Sequence, residues 1–526
     1  MYRSLLPDVD LPVVSVFDYL FADLDDPTLD SVAIVDGVSG DETTYRQLIA
    51  QIESFAGALV ARGVGTSTTV GLLCPNIPAF ATVFHGILRA GATATTINSL
   101  YTDDEITNQL SDADAQWLVT VSPLLAGAKS AAARVGIPDD RLIVIDGAPG
   151  HPDLAGMLRE GHRAPEVSFD PATHVAVLPY SSGTTGRPKG VMLTHRNLVS
   201  NVAQCSSVIS LRKDDRVLAV LPFFHIYGMT VLLNYALAGR AGLVTMPRFD
   251  LPEFLRIVSE HLVTWVFIAP PIAVALAKHP IVDDYDLSHV KVIFSGAAPL
   301  DGSLAIAVAD RLGCKVCQGY GMTETSPVLN AIPFERDDLD RSSVGLLLAN
   351  TEARIVDPDS GRDVADSADG ESARGELWVR GPQVMAGYLN RPDATADMID
   401  DDGWLHTGDI ATVTPDGAFR IVDRLKELIK YKGYQVAPAV LEALLLEHPS
   451  IADAAVVGAN DADGQEVPKA FVVAQPGAAL SAEEVMDFVA DRIAPHEKVR
   501  IVEFVDQIPK SSSGKILRKD LRTPVG

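Results

Sequence analysis

Short apolar runs separated by helix-length stretches recur along the first part of the chain, and this alternation restricts the fold more than any other feature. The runs span Thr69 to Cys74, Ala92 to Ile97, Gln116 to Val121 and Leu142 to Asp146, with helical stretches such as Ala79 to Ala90 between them. A strand buried on both faces reads as a continuous apolar run, and parallel strands need a crossover helix, so the pattern specifies a mostly parallel sheet covered by helices. Ahead of these runs, Tyr45 to Arg62 carries Leu48, Ile52, Phe55 and Leu59 at helical spacing with Gly63 just beyond, which reads as an amphipathic helix ended by glycine. The acidic, Gly/Pro-containing stretch from Asp146 to Pro171 reads as a subdomain junction, and the alternation restarts at His174.

The second series of strands is set apart by its turns. His174 to Tyr180 runs into Ser181, Ser182, Gly183, Thr184, Thr185, Gly186, Arg187, Pro188, Lys189 and Gly190, and Val191 to Thr194 leads on toward a helix that Thr194 can cap. Glycines that admit unusual backbone angles, hydroxyls that donate hydrogen bonds and the point charge of Lys189 together suit a polyphosphate better than a plain surface loop. The Walker pattern fails because Gly190 stands where a Ser or Thr would come after the lysine, which disfavours a kinase-like or motor-type NTPase. Three further runs end in polar or glycine-rich turns: Val217 to Phe223 before Phe224-His225-Ile226-Tyr227-Gly228, Val290 to Ser295 before Gly296-Ala297-Ala298-Pro299, and Lys315 to Gln318 before Gly319-Tyr320-Gly321-Met322-Thr323-Glu324. Ligands of open α/β sheets sit beyond the carboxyl ends of the strands, so these turns are expected to meet at one crevice.

Length and charge limit the remainder. A chain of 526 residues divides into roughly three or four units. A formal charge of -26 disfavours a general nucleic-acid or anionic-membrane surface, and it makes the tail from Lys510 to Gly526, with five Lys/Arg against one Asp, stand out. Cys74, Cys205, Cys314 and Cys317 are too few and scattered for a disulfide framework, and the Cys314/Cys317 spacing, in an apolar run without a second pair, reads as buried thiols rather than a zinc or redox site. Neither a signal-peptide core nor a spanning apolar stretch is visible, so the expected setting is reducing and cytoplasmic. After Ser343 short strands and turns predominate, including a hairpin from Ala411 to Val422 turning at Pro415-Asp416-Gly417, which reads as a small β-rich subdomain. The basic segment Arg424 to Gly433 marks the boundary with a last domain, in which Pro438 opens a helix, Ala454 to Val457 and Ala470 to Ala474 read as strands, and Ser481 with Glu484 forms a capping box. The expected domains are residues 1–423, with subdomains of about 1–170, 171–343 and 344–423, and residues 424–526.

The loop Ser181 to Gly190, Gly319 to Glu324, Gly375 to Gly381, Trp404 to Asp409, Asp423 to Gly433 and Pro509 to Lys515 form an ordered set over more than 300 residues. In these motifs the chain resembles the acyl-adenylate-forming superfamily, and Phe224-His225-Ile226-Tyr227 with Lys430 to Pro438 resembles its 4-coumarate-CoA ligase branch and the acyl-CoA synthetases. The resemblance implies an α/β protein: a large N-terminal domain of two mostly parallel α/β sheets plus a small β-barrel-like subdomain, followed by a small mobile α+β C-terminal domain. It implies Lys515 as the lysine that bridges carboxylate and α-phosphate, Glu324 as the Mg²⁺ ligand, Thr323 on phosphate, Asp409 on the ribose with Arg424, and Gln318, Gly319 and Tyr320 around the adenine. The family's C-terminal domain rotates between two poses. Lys426 matches the hinge, and the second pose would bring Lys430, Lys432, Gly433 and Gln435 to the active site for coenzyme A. His225 would gate the thiol tunnel, and the acyl group would lie among Tyr227, Gly296, Ala297, Gly321, Pro327 and Val328.

The expected activity is an ATP- and Mg²⁺-dependent ligation of a hydroxycinnamate-like or fatty acid to coenzyme A, by a monomer or homodimer that binds no nucleic acid and spans no membrane. The rivals are an enzyme loading a carrier-protein phosphopantetheine and a luciferase-like oxygenase on the same fold.

Overall fold

The computed structural model describes residues 1–181, 188–364, 370–431, 434–461, 465–511 and 514–522, with the backbone alone at 434–435. Two large sheets dominate. One places Thr93–Ile97, Thr69–Leu73, Ala115–Thr120 and Leu142–Val144 in parallel and adds Lys189–Thr194 antiparallel at its other side. The other has a parallel centre of Lys315–Gly321, Val292–Ser295, Trp265–Ile268, Arg216–Ala219 and Gly242–Thr245, flanked by antiparallel edges. Every residue of Val292–Ser295, Trp265–Ile268 and Gly242–Thr245 is buried, because helices cover both faces. One hydrophobic core runs through both sheets, from Val16 in the N-terminal helix through Phe84 and Phe223 to Phe294.

Helix starts obey their local signals. Thr44 with Gln47, Thr102 with Glu105, Thr194 with Asn197 and Ser481 with Glu484 each form a capping box, a device contributing about 1 kcal/mol per helix. The expected β-rich subdomain is a five-stranded antiparallel sheet in the order Tyr2–Arg3, Glu352–Val356, Gly375–Arg380, Leu405–Val413, Phe419–Arg424. It curls enough for Tyr2 on one edge to meet Phe419 on the other, edge to face at 5.9 Å. Residues beyond Arg424 form a separate α+β unit with its own core, in which Ile451–Asn460, Glu466–Ala474 and Ile501–Phe504 pack on helices Pro438–Glu447 and Ala482–Ala490. Several contacts dock this unit on the rest, among them a small apolar cluster of Ile410, Leu428 and Ala437. Asp423 Oδ2 accepts from Ala439 N at 2.9 Å, Lys278 Nζ donates to the Leu446 carbonyl at 3.3 Å, and Gly514 lies against Ala269 and Pro271. Among the described residues no helix is long and apolar enough to cross a membrane.

Candidate active site

The carboxyl ends of both sheets, the five-stranded sheet and the C-terminal unit enclose one cavity of about 740 Å³. Its wall gathers Ser181, Lys189, Glu324, Asp409, Arg424 and Lys515 from four widely separated stretches of chain. Strand Tyr180–Ser181 pairs antiparallel with Lys189–Thr194, Ser181 opposite Lys189, so both ends of the Ser/Gly/Thr-rich loop face the cavity. Ser182, Gly183, Thr184, Thr185 and Gly186 lie outside the described residues. Tyr180 is held by its hydroxyl, which donates to Asp112 Oδ2 at 2.8 Å.

Past the end of Lys315–Gly321, a single tight turn carries Thr323 and Glu324. Glu324 is 5% exposed, and its Oε1 accepts from the Tyr388 hydroxyl at 2.7 Å. The Lys189 ammonium sits 4.2 Å from the centre of the same Tyr388 ring, so one tyrosine joins a cation to a carboxylate. Burial, reinforced by Glu324, raises the Tyr388 phenol's pKa and keeps it a donor. Asp409, buried in Leu405–Val413, faces Arg424 across the hairpin, Oδ1 to Nε at 3.4 Å, and accepts from the Tyr320 hydroxyl on Oδ2. Burial and then Asp409 push the Tyr320 phenol well above its ordinary pKa.

Lys515 enters from the C-terminal unit. Burial, then Arg424, lowers its pKa to about 8, against the opposing pull of Asp409 and Glu324. His225 lies close enough to feel that ammonium: burial first and Lys515 second lower its pKa to about 4, so the ring is neutral at neutral pH. Its Nδ1 accepts from Tyr227 N at 3.3 Å, which assigns the ring proton to Nε2.

Tyr227, Gly296, Ala297, Gly321, Pro327 and Val328 line the same cavity. Tyr227 immediately precedes a seven-residue π-helical segment, Gly228–Asn234. A Cβ on Gly296 would stand 2.7 and 2.8 Å from Tyr227 Cε1 and Cζ and 2.9 Å from its hydroxyl oxygen, so only glycine lets that side chain lie against the strand end. Among the described residues the buried Tyr227 hydroxyl has no hydrogen-bond partner. Val328 is fixed by Asn201, which donates to its carbonyl at 2.8 Å and accepts from its amide at 3.0 Å.

The expected residues do not all converge. Gly319, Tyr320, Thr323 and Lys426 line the cavity, but Gln318 does not: its amide donates to the carbonyls of Leu300 and Arg341 and accepts from Leu300 N. The side chain placed at the adenine by resemblance is therefore a brace between strand and loop. Lys430 is exposed and outside the cavity, its amide bonded to Glu466 Oε2, while Lys432, Gly433 and the Gln435 side chain lie outside the described part of the chain. Sequence reasoning missed Tyr388. It stands between the Gly375 to Gly381 and Trp404 to Asp409 blocks in a Gly-Tyr-Leu-Asn run that reads as ordinary strand, and its hydroxyl partner is 64 positions away.

Residues 23–389 match the family model of the AMP-binding enzymes, and residues 440–515 match the model of the AMP-binding enzyme C-terminal domain. The chain belongs to the AMP-binding enzyme family. The enzyme is 42% identical to 4-coumarate--CoA ligase 5 of Oryza sativa subsp. japonica, over 99% of its own length and 97% of the relative's. Among solved structures it resembles ATP-bound MatB from Rhodopseudomonas palustris, at 28% identity and a TM-score of 0.86 with 97% and 98% of the two chains covered. It also resembles the anthranilate CoA ligase AuaEII in complex with anthranoyl-AMP, at 25% identity and a TM-score of 0.89 with 98% and 97% covered. With relatives of this kind along its whole length, the enzyme falls in the class of AMP-forming acid–thiol ligases. Its ligand is accordingly ATP, and the cavity gathers the cationic side chains of Lys189, Arg424 and Lys515 with the carboxylates of Glu324 and Asp409.

Proposed function

We propose that this enzyme adenylates a planar, hydroxyl-bearing aromatic acid of the hydroxycinnamate type and passes the acyl group to coenzyme A. The observation that carries the reading is the presence of Lys515 in one cavity with Lys189, Glu324, Asp409 and Arg424. An oxygen of the acid attacks the α-phosphorus of ATP, the bond to the bridging oxygen breaks, and pyrophosphate leaves with that electron pair. Both reactants are anions, so a cation placed between them lowers the barrier, and Lys515 supplies it from a site dry enough to strengthen the attraction. Asp409 holds the ribose hydroxyls and Arg424 lies beside it; Ser181 and Lys189 flank the phosphates.

Among the described residues no group of three or more His, Cys, Asp and Glu could hold a metal by itself. Magnesium is normally held by one or two carboxylates together with substrate phosphates, and Glu324, with Oε1 engaged by Tyr388 and Oε2 left over, fits that demand. Bound there, Mg²⁺ would neutralise phosphate charge. In the second step the thiolate sulfur of coenzyme A attacks the acyl carbonyl and AMP departs with the acyl C–O electrons. His225, neutral and with Nε2 protonated, suits gating of the thiol's path rather than deprotonation.

For the acid, a flat Tyr227 ring seated on Gly296 forms one wall of a slot, and an unpartnered buried hydroxyl favours a substrate carrying a hydrogen-bonding group over a plain alkyl chain. The names of the relatives, a 4-coumarate ligase and an anthranilate ligase, point the same way. A pyrophosphate-release screen with coenzyme A over hydroxycinnamic, benzoic and fatty acids tests the reading. Hydroxycinnamic acids should give the highest kcat/KM; fatty acids in that place, or release without an acyl-CoA product, would overturn it.

A further inference from the structure

Lys515 reaches the cavity from a hairpin, and the hairpin's own bonds fix its shape but not its position. Ser511 N donates to the Lys515 carbonyl at 2.8 Å, Lys515 N donates to Ser511 Oγ at 3.1 Å, and Leu517 N donates to the Pro509 carbonyl at 2.9 Å. A long flexible side chain on a segment held only by itself would sweep a wide volume, and a misplacement of about 1 Å in a reacting group costs on the order of 10²-fold in rate.

Two cations pin the legs of this hairpin. On the incoming leg Lys510 Nζ lies 2.6 Å from Asp453 Oδ2, the side chains being 21% and 28% exposed. On the outgoing leg Arg518 Nη2 meets Glu442 Oε2 at 2.6 Å, the side chains being only 13% and 10% exposed. Arg518 Nε also donates to the Val456 carbonyl at 3.2 Å, and Glu442 Oε1 accepts from Val456 N at 2.8 Å. Arg518, Glu442 and Val456 thus close a triangle that ties the hairpin to helix Pro438–Glu447 and strand Ile451–Asn460. Although burial works against its charge, Glu442 and Asp423 hold the Arg518 guanidinium above its ordinary pKa; Glu442's carboxyl is pushed up by burial. A buried pair of this kind roughly breaks even in stability against apolar residues, so its distinctive contribution is fixed geometry.

We propose that Arg518 and Glu442 are positioning residues for Lys515, setting the hairpin so that the ammonium arrives between Glu324 and Asp409 when the C-terminal unit closes. The inference rests on the adenylation role given to Lys515 above. It requires the clamp for adenylate formation and not for thioester formation, which that lysine does not perform. A clamp needed only for stability of the C-terminal unit would affect both steps together.

The test compares wild type with R518M, R518K, E442Q, K515A and a control, K469M, which removes the Lys469–Glu503 pair, 2.6 Å apart on the same sheet. ATP–pyrophosphate exchange, with the best acid from the screen, reads the first step. Conversion of the corresponding synthetic acyl-adenylate and coenzyme A to acyl-CoA reads the second. R518M and E442Q should lower exchange about 10- to 100-fold while thioester formation stays within about threefold. R518K should recover part of the exchange and K469M should match wild type in both. If both steps fall together in R518M and in the nearly isosteric E442Q, or exchange is unchanged in both, the clamp is refuted alone. If K515A exchanges like wild type, the lysine reading fails first and the clamp falls with it.

Discussion

Replacing Gly514 by alanine should separate the enzyme's two half-reactions, and the structure sets the size of the effect. Gly514 has φ +83°, where an L side chain is strained by about 1–2 kcal/mol. A Cβ there would stand 2.9 Å from Ala269 Cβ and 3.6 and 3.7 Å from Pro271 Cδ and Cγ. Carbon atoms pack at ~3.5–4.0 Å, so the hairpin must withdraw by more than about half an ångström. The other side cannot yield, since Ala269 is 4% exposed and opens the helix Pro270–Lys278. The backbone strain would go with the hairpin in any pose of the C-terminal unit, whereas the collision belongs to the pose that puts Lys515 in the cavity. Displacement on this scale, worth about tenfold, together with the strain predicts a loss of roughly 10²-fold in ATP–pyrophosphate exchange. Thioester formation from supplied acyl-adenylate should fall by at most about 5- to 30-fold, because only the strain of about 1–2 kcal/mol bears on it. Equal losses in the two assays, or an exchange rate within about twofold of wild type, would refute the docking of Gly514 on Ala269 as a condition for adenylation.

The same cavity sets further outcomes. Because burial and Arg424 lower the Lys515 pKa to about 8, kcat/KM for ATP in exchange should decline as pH rises through about 8, while bound polyphosphate should move the decline in kcat to higher pH. In the two-pose reading the docked unit would bind fewer protons than an undocked one between about pH 8 and 10.5, so docking should become easier as pH rises across that window. Tyr388→Phe removes the donor to Glu324 Oε1, and a hydrogen bond to a charged group is worth ~1.5–3 kcal/mol, so MgATP affinity by calorimetry should drop at least about tenfold. Asp409→Asn should raise the KM for ATP more than it changes kcat, since the ribose contact proposed for this carboxylate lies away from the reacting phosphorus.

Much of this site is legible in the chain. The strand-end turns at Gly296, Gly319 and Ser181 could be read because a buried strand announces itself by apolarity and its turn by glycine and hydroxyl content. Thr194 and Ser481 were readable as caps because a cap is a contact within three residues. Gln318 was not. Strand Lys315–Gly321 pairs in parallel with Val292–Ser295 up to Gln318 and antiparallel with Val328–Ala331 from Gly319 onward, and at that change of partner the carbonyls of Leu300 and Arg341 capture the amide. Tyr388 and the Arg518–Glu442 pair escaped for the same reason: each contact joins residues 64 or 76 positions apart.

The sequence by itself determined where strands and helices begin and which strand-end turns are rich in glycine and hydroxyls, because those properties depend on neighbours a few residues away. Only the tertiary structure decided that Lys189, Glu324, Asp409 and Lys515 face one another, that Gln318 turns away and that Lys430 stays outside. Those outcomes depend on sheet order and on the docking of the C-terminal unit, which bring together groups that no local preference connects.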